Sequence, residues 1–198
     1  MISLAEVVTG AAGPFSPWNV LMVLWLAAPV IVAAIVHIIV IKVNALAWLK
    51  RPIDGGRSWR GHRIFGDNKT WRGAVVMTGV STAVAPLQGV LRLPSVEYFD
   101  YGATPLWLVG LLLGLGFVLF ELPNSFTKRA LGVAPGGKGS PLFVLLDQID
   151  SVVGCMVLLC GVWVAPLHVW LWVLVLCSGV HMLLNGVFVL VGLKERVF

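Results

Sequence analysis

Residues 18–41 read WNVLMVLWLAAPVIVAAIVHIIVI, an apolar run of 24 residues without a charge. A helix that crosses the hydrocarbon core of a bilayer needs about 20 such residues. Four further runs of this kind lie at 73–91, 103–120, 141–164 and 168–192. Strands of a membrane barrel alternate in segments of about ten residues, so these runs predict an all-α integral membrane protein with about five transmembrane helices.

The composition agrees with a membrane protein. Of the 198 residues, 59% are hydrophobic and 12% are charged, whereas a soluble domain is nearer half apolar and a quarter charged. The composition therefore excludes a soluble enzyme, a disordered tail and a fibrous protein. The length allows one domain of a few spans, and we expect residues 1–198 to form a single membrane-embedded domain.

The basic residues are unevenly distributed. Thirteen of the 14 lysines and arginines fall in the loops 42–72 and 121–140 or in the C-terminal tail, and only Arg92 falls on the other side. Loops rich in Lys and Arg stay in the cytoplasm. We therefore predict an outside N-terminus, a cytoplasmic C-terminus, two cytoplasmic loops and a location in the cell membrane. Because the charge is explained by topology, we expect no nucleic-acid partner, and the sequence predicts no particular oligomeric state.

The first basic loop contains a compact polar motif, RIFGDNKTWRG at 63–73. Gly66 permits a tight turn with an exposed backbone. Lys69, Thr70 and Arg72 then supply two cations and a hydroxyl at the start of a helix, where free N–H groups and the helix dipole favour anions. The motif predicts a polyphosphate site, with simple contact to anionic headgroups as the alternative.

The second basic loop contains GVAPGGKG at 132–139. This segment nearly matches the P-loop pattern G-x-x-x-x-G-K-[ST], but Gly139 replaces the Ser or Thr and the segment follows a membrane helix rather than a strand. We therefore reject a P-loop nucleotide hydrolase. What remains is a flexible loop carrying Lys138, which either closes over a ligand or only connects two spans.

Two acids lie inside the fourth apolar run. Asp147 and Asp150 are three residues apart and so share one helix face. A carboxylate within a membrane helix is costly and functional by default; the alternative is an ion pair with Lys128 or Arg129 that serves packing. Oxygen ligands with open water positions suit Mg²⁺. We therefore predict that the two acids hold Mg²⁺ against a phosphate near the cytoplasmic end of the span.

Together, the basic loops and the acid pair suit nucleotidyl transfer. This chemistry depends mainly on in-line positioning and charge stabilisation, so no cysteine, histidine or serine triad is required. A triphosphate would bind the basic loops, and a phosphate nucleophile would arrive from the bilayer.

These motifs resemble the signature of the lipid-phosphate cytidylyltransferases, which include the CDP-diacylglycerol synthases. The small five-span branch, the CDP-archaeol synthase family, is more similar. Its pattern GD-x-KTWRG corresponds to residues 66–73, and its pattern SF-x-KR-x-LG…LLDQ-x-D corresponds to residues 125–132 and 145–150. The lysine–aspartate pair and the histidine that precede Gly-Gly in the larger enzymes are absent here, which favours the small branch.

The resemblance implies that CTP and a membrane lipid phosphate, either archaetidate-like or phosphatidate, give a CDP-lipid and pyrophosphate, with Mg²⁺ as cofactor. Asp147 and Asp150 are implied to hold the metal, and Lys128 is implied to be catalytic with them. Asp67, Lys69, Thr70 and Arg72 are implied to contact CTP, and Lys128 and Arg129 are implied to bind phosphates. The other residues expected to bind substrate are Gly66, Asn124, Ser125 and Lys138.

Two other functions compete with this one. A small transporter would use Asp147 and Asp150 as an ion site, but the acids lie near one end of the span and no inverted repeat is visible in the sequence. A CDP-alcohol phosphotransferase would need the longer pattern D-G-x-x-A-R…G-x-x-x-D-x-x-x-D, which the sequence lacks. The transporter is kept as the alternative.

Overall fold

The computed structural model describes residues 13–14, 16–91, 93–135, 137, 139–190 and 192. Within these residues, five helices are long and apolar enough to cross a membrane. They are α1 (Trp18–Lys42), α2 (Trp71–Leu91), α3 (Leu106–Ala130), α4 (Pro141–Leu159) and α5 (Leu167–Leu190). The predicted all-α membrane fold with five spanning helices is confirmed.

Apolar side chains cover the outside of the helices as well as the inside. Val90, Val175 and Leu190 are among the large hydrophobic residues that remain exposed. In lipid, every backbone N–H and C=O must be bonded within the protein, and a continuous helix meets this requirement. The apolar exterior is therefore the surface that meets the bilayer, and the chain is a multi-pass membrane protein.

Helix α3 is longer than the sequence predicts. Residues 121–130, expected to begin a loop, are helical, so that prediction is wrong. Pro123 lies inside the helix without ending it, and Lys128 and Arg129 lie in its last turn, where cations complement the helix dipole. Loss of apolar character marks the point where a span leaves the hydrocarbon, and the helix itself continues beyond that point.

Helix α4 is shorter than the sequence predicts. The apolar run extends to residue 164, but the helix ends at Leu159. Gly161 disfavours helix, and Pro166 stands immediately before α5 because the missing N–H of proline does no harm there. The turn between α4 and α5 is itself apolar, so hydropathy does not reveal it.

Helix α3 packs closely against both α2 and α4 through glycines. A Cβ on Gly114 would lie 2.6 Å from Thr78 Cα of α2, and a Cβ on Gly116 would lie 2.3 Å from Gly154 O of α4. Small residues allow membrane helices to approach in this way. Helix α3 is therefore the centre of the bundle, and its register against α4 is set by two glycines.

The connection between α1 and α2 folds over the end of α3. Its short strands β1 (Ser58–Trp59) and β2 (His62–Arg63) pair as an antiparallel hairpin. The Trp59 ring lies 5.5 Å, centroid to centroid, from the Phe126 ring of α3. This contact places the polar motif of the first loop beside the polar end of α3.

An aromatic cluster lies at the opposite end of the bundle. The Tyr98 and Trp163 rings stack at 5.5 Å between centroids, and the Phe99 ring lies 5.2 Å from Trp163. Tyr98 Oη also donates a hydrogen bond of 3.0 Å to Asn19 Oδ1 of α1. The cluster ties α1 to the segments that precede α3 and follow α4.

Candidate active site

The two acids of α4 are bonded to two polar residues of α3. Lys128 Nζ lies 2.7 Å from each carboxylate oxygen of Asp147. Asn124 Nδ2 donates to Asp147 Oδ1 at 2.7 Å and to Asp150 Oδ2 at 2.8 Å. One amide therefore bridges the two acids, and one ammonium neutralises Asp147.

Helical spacing explains this arrangement. Asn124 and Lys128 are four residues apart on α3, and Asp147 and Asp150 are three apart on α4, so each pair shares a helix face. Ser151 follows on α4, and its backbone N–H donates to Asp150 Oδ1 at 2.6 Å. The sequence left open an ion pair that serves only packing, and Lys128 and Asp147 form such a pair. It lies within the polar cluster that contains both acids.

Arg129 lies in the same turn of α3 as Lys128 and is only 5% exposed. Its Nε and Nη1 atoms have no hydrogen-bond partner in the part of the chain that the structure describes. Burying a charged group without partners is costly, so this guanidinium is a candidate to bind an anion. Ser125 is also buried on α3, next to Asn124.

Asp54 holds the first basic loop in shape. Its Oδ1 accepts a 2.7 Å hydrogen bond from Arg63 Nη2, and its Oδ2 accepts bonds of 3.0 and 3.1 Å from the backbone N–H groups of Phe65 and Gly66. Burial would raise the pKa of this carboxyl, but the Arg63 guanidinium and the backbone N–H groups lower it to about 2. Gly66 has a φ of +91°, and a Cβ there would lie 3.0 Å from Pro135 Cγ, so the loop packs against the segment after α3.

Two residues of the loop motif find their partners within the connection between α1 and α2. The Asp67 side chain is 68% exposed and accepts a 2.6 Å hydrogen bond from Arg63 Nη1. Arg72 is buried and donates to Asn44 Oδ1 at 3.2 Å. These contacts shape the loop.

Lys69 and Thr70 instead face the interior of the bundle. Lys69 Nζ forms an ion pair with Glu121 Oε2 of α3. Burial would lower the pKa of Lys69, but the Glu121 carboxylate and the acids of α4 raise it above its usual value. Thr70 Oγ1 accepts a 3.3 Å hydrogen bond from Gly73 N, as a residue at a helix start commonly does. Lys69 is therefore a charged group that interacts electrostatically with the acid pair.

A mostly apolar cavity of about 410 Å³ runs down the bundle from Lys69. All five helices line it, with α1 and α5 providing the largest share. Its polar end is lined by His37, Glu121 and Ser151 as well as Lys69, and its apolar part reaches Val23. Between Val23 and His37, helix α1 rises about 21 Å at about 1.5 Å per residue, which exceeds half of the roughly 30 Å hydrocarbon thickness.

Sequence reasoning missed three residues of this region, namely Glu121, Asp54 and His37. Glu121 directly follows an apolar run, and an acid at the end of a span could have been identified from the sequence as a candidate site residue. Asp54 precedes two glycines. That pattern indicates a turn, but it does not reveal the groups to which the carboxylate is hydrogen-bonded. Lys138, a predicted phosphate contact, lies outside the described residues.

The oxygen atoms around the acid pair fit a hard divalent cation. Besides the carboxylates, Asn124 Oδ1 is buried and lacks a hydrogen-bond partner among the described residues. Mg²⁺ prefers oxygen ligands and is usually held by one or two carboxylates together with substrate phosphates. The residues that the structure describes contain no group of three or more His, Cys, Asp or Glu side chains suited to a metal, so a metal here depends on this pair and on substrate oxygens.

Charged groups on membrane helices beside an apolar cavity define the class, an integral membrane protein with a functional polar site inside the bundle. Comparison with known families then gives the particular group. The family profile described as CarS-like, CDP-archaeol synthase, matches residues 18–198. The chain belongs to the CDP-archaeol synthase family, which confirms the resemblance drawn from the motifs.

Individual relatives carry the same name. The CDP-archaeol synthase of Halobacterium salinarum is 35% identical over 154 residues, which cover 74% of this chain and 82% of that protein. That of Methanoculleus marisnigri is 35% identical over 155 residues, covering 73% and 87%. That of Thermococcus gammatolerans is 41% identical over 107 residues, covering 54% and 58%. No solved structure gives a significant match.

Proposed function

We propose that this chain makes a CDP-activated ether lipid by transferring the cytidylyl group of CTP to an archaetidate-like lipid phosphate. Family membership makes it a CTP-dependent cytidylyltransferase of lipid phosphates, and the comparisons give no support to the transporter alternative. The choice of an isoprenoid ether lipid follows the name of the relatives. Phosphatidate is the other acceptor to be tested.

In this reaction an oxygen of the lipid phosphate attacks the α-phosphorus of CTP. The new P–O bond forms as the bond to the bridging oxygen of the β-phosphate breaks, and pyrophosphate leaves. The attacking phosphate is already an anion, so the main task is to bring like charges together in line. The chain offers cations from α3 and from the first loop for this task.

The observation that carries the proposal is that the acid pair lies beside the polar end of the cavity, because Lys69, which interacts electrostatically with both acids, lines that end. Ser151 lines the cavity, and its backbone N–H is bonded to Asp150. A lipid whose chain lies in the cavity therefore has its phosphate next to the acid pair. Burial of an apolar chain stabilises binding by about 0.8 kcal/mol per CH₂ group, which fits a cavity lined mostly by hydrophobic residues.

Asp147 and Asp150 are the residues that would hold Mg²⁺, which when bound supplies charge neutralisation of the triphosphate. Asn124 bridges the two acids and so fixes their spacing. Lys128 and Arg129 bind phosphate oxygens of CTP. Arg129 suits this role because its buried guanidinium has unfilled donors and phosphate accepts them in a forked geometry.

The first loop and the loop before α4 complete the proposed CTP site. The backbone of Gly66 lies against the Arg129 side chain, since a Cβ at Gly66 would be 3.8 Å from Arg129 Cδ. Asp67, Ser125 and Lys138 remain proposed contacts. Thr70 and Arg72 contribute through the shape of the loop, by the hydrogen bonds that they make within it.

We place the active site at the cytoplasmic face of the cell membrane and treat residues 1–198 as one domain. The support for this orientation is the concentration of basic residues in the two loops at the end of the bundle that carries the acid pair.

The test is an assay of the purified protein in detergent with Mg²⁺ and CTP labelled at the α-phosphate, with archaetidate or phosphatidate as acceptor. We expect the label in a CDP-lipid, with the ether lipid preferred, and unlabelled pyrophosphate as the second product. No CDP-lipid from either acceptor would exclude the proposed function. A preference for phosphatidate would correct the lipid and retain the reaction.

A further inference from the structure

The polar end of the cavity contains a buried hydroxyl whose bonding is incomplete. Ser151 lines the cavity and is fully buried. Its Oγ has no hydrogen-bond partner in the described part of the chain. A buried donor left without a partner is destabilising, so a ligand that supplies an acceptor here gains a hydrogen bond that the described residues leave unmade.

Lys69 provides a cation at the same end. Its ammonium is paired with the Glu121 carboxylate, and both side chains line the cavity. A phosphate carries more acceptor oxygens and more negative charge than a carboxylate. It is therefore a stronger partner for Lys69 than Glu121 is, and it can take the place of that carboxylate.

His37 approaches from α1. A Cβ on Gly73 would lie 3.2 Å from His37 Nε2, so the glycine at the start of α2 leaves room for the imidazole ring beside the cavity. The ring lies within electrostatic reach of Glu121 and Lys69. An imidazole has at least one N–H in either protonation state, and α1 thus adds a further donor.

We infer that Lys69, Ser151 and His37 form the subsite for the phosphate of the acceptor lipid, on the opposite side of the acid pair from the Lys128 and Arg129 contacts to CTP. The inference rests on the proposed function, and it moves Lys69 from the CTP site, where the family resemblance places it. On binding, the lipid phosphate displaces Glu121 from Lys69 while the chain occupies the cavity. Because Ser151 adjoins Asp150, the attacking oxygen then lies next to the acid pair.

Steady-state kinetics separate the two phosphate subsites. Ser151→Ala and Lys69→Gln would be assayed for the KM of the lipid phosphate at saturating CTP and for the KM of CTP at saturating lipid. Ser151→Ala removes a hydrogen bond to a charged group, so the KM of the lipid phosphate should rise about tenfold. Lys69→Gln should raise it further, because it also removes a cation. The KM of CTP should stay within about twofold of the unsubstituted value in both variants. Lys50→Gln is the matched control, because Lys50 is exposed in the same connection and is not among the residues lining the cavity.

A second measurement needs no turnover. In detergent without CTP, the unsubstituted chain should bind a radiolabelled lipid phosphate more tightly than the same lipid lacking its phosphate, and Ser151→Ala and Lys69→Gln should lose that difference. An unchanged lipid KM in both variants, or an increase confined to the CTP KM, would overturn the inference and leave the proposed function standing. Failure of the unsubstituted chain to form any CDP-lipid would instead refute the proposed function.

Discussion

Gly116 of α3 and Gly154 of α4 meet backbone to backbone. A Cβ added to Gly154 would lie 2.2 Å from Gly116 O, and a Cβ added to Gly116 would lie 2.3 Å from Gly154 O. Asn124 and Asp147 each lie about two helical turns from this contact, in opposite chain directions on antiparallel helices. The contact therefore sets the register that brings Asn124 within 2.7 Å of Asp147.

Gly154→Ala should push α3 away from α4 and reduce the rate of CDP-lipid formation by about 100-fold, because a displacement near 1 Å at reacting groups has an effect of this size. Overpacking of about 1–3 kcal/mol should also lower the Tm. Gly79→Ala in α2 is the control, since nothing lies within 4 Å of the added Cβ. If both variants keep full activity and the same Tm, the register argument fails.

Lys128 and Asp147 should act as a unit. Lys128→Met and Asp147→Asn should each reduce turnover by about 100-fold or more, because each removes charge at the site of phosphate binding. The double variant should be little worse than the worse single variant, since residues in one charge network are not additive. A double-mutant cycle on turnover measures this, and strictly multiplicative losses would show that the two residues act independently.

Asp150→Asn should abolish turnover while the chain still folds, with at most a small fall in Tm from the lost hydrogen bond between Asn124 Nδ2 and Asp150 Oδ2. The amide keeps the size of the side chain and can still accept the 2.6 Å hydrogen bond from Ser151 N, but it loses the charge that suits Mg²⁺. EDTA should inactivate the unsubstituted chain and added Mg²⁺ should restore it, whereas the variant should stay inactive at every Mg²⁺ concentration. Asp100→Asn, at the other end of the bundle, serves as the control, and an active Asp150→Asn would show that the acid pair has been misinterpreted.

Asp54 should stabilise the first loop in a defined pH range. Its pKa in the folded chain is about 2, against an ordinary value of 3.8. A lowered pKa means that the carboxylate contributes its full stabilisation above about pH 4 and loses it as the pH falls through about 2. Hydrogen exchange of residues 54–66 should therefore be slower than in Asp54→Asn at pH 5, and the difference should shrink between pH 4 and pH 2. A constant difference across that range would contradict the assignment.

The features that could be predicted from the sequence have local signals. Each span is an uninterrupted apolar run, and Asp147 and Asp150 stand out because charges are rare in such a run. An ion pair of these acids with Lys128 or Arg129 is the packing alternative that the sequence leaves open, and the structure forms it between Lys128 and Asp147. Gly66 was expected at a turn, and its φ of +91° agrees with that expectation.

The features that could not be predicted depend on contacts between distant segments. Lys69 and Glu121 are 52 residues apart and meet only because α3 continues past the apolar run. The buried, unpartnered hydroxyl of Ser151 is a property of how the helices pack, and serine alone gives no sign of it. Hydropathy likewise carries no information on the end of α4, since the turn after Leu159 is as apolar as the helix.

The walls of the cavity and the charged groups belong to different parts of the chain. Helix α5 has no Asp, Glu, Lys or Arg, and α1 has only Lys42 at its end, yet these two helices supply the largest share of the cavity lining. The acids and their partners lie on α3 and α4. Apart from His37 at the polar end, substitutions on α1 and α5 can therefore change the width and depth of the cavity independently of the groups proposed to handle phosphate. The hydrocarbon preference of such a fold is then open to redesign with its chemistry held constant.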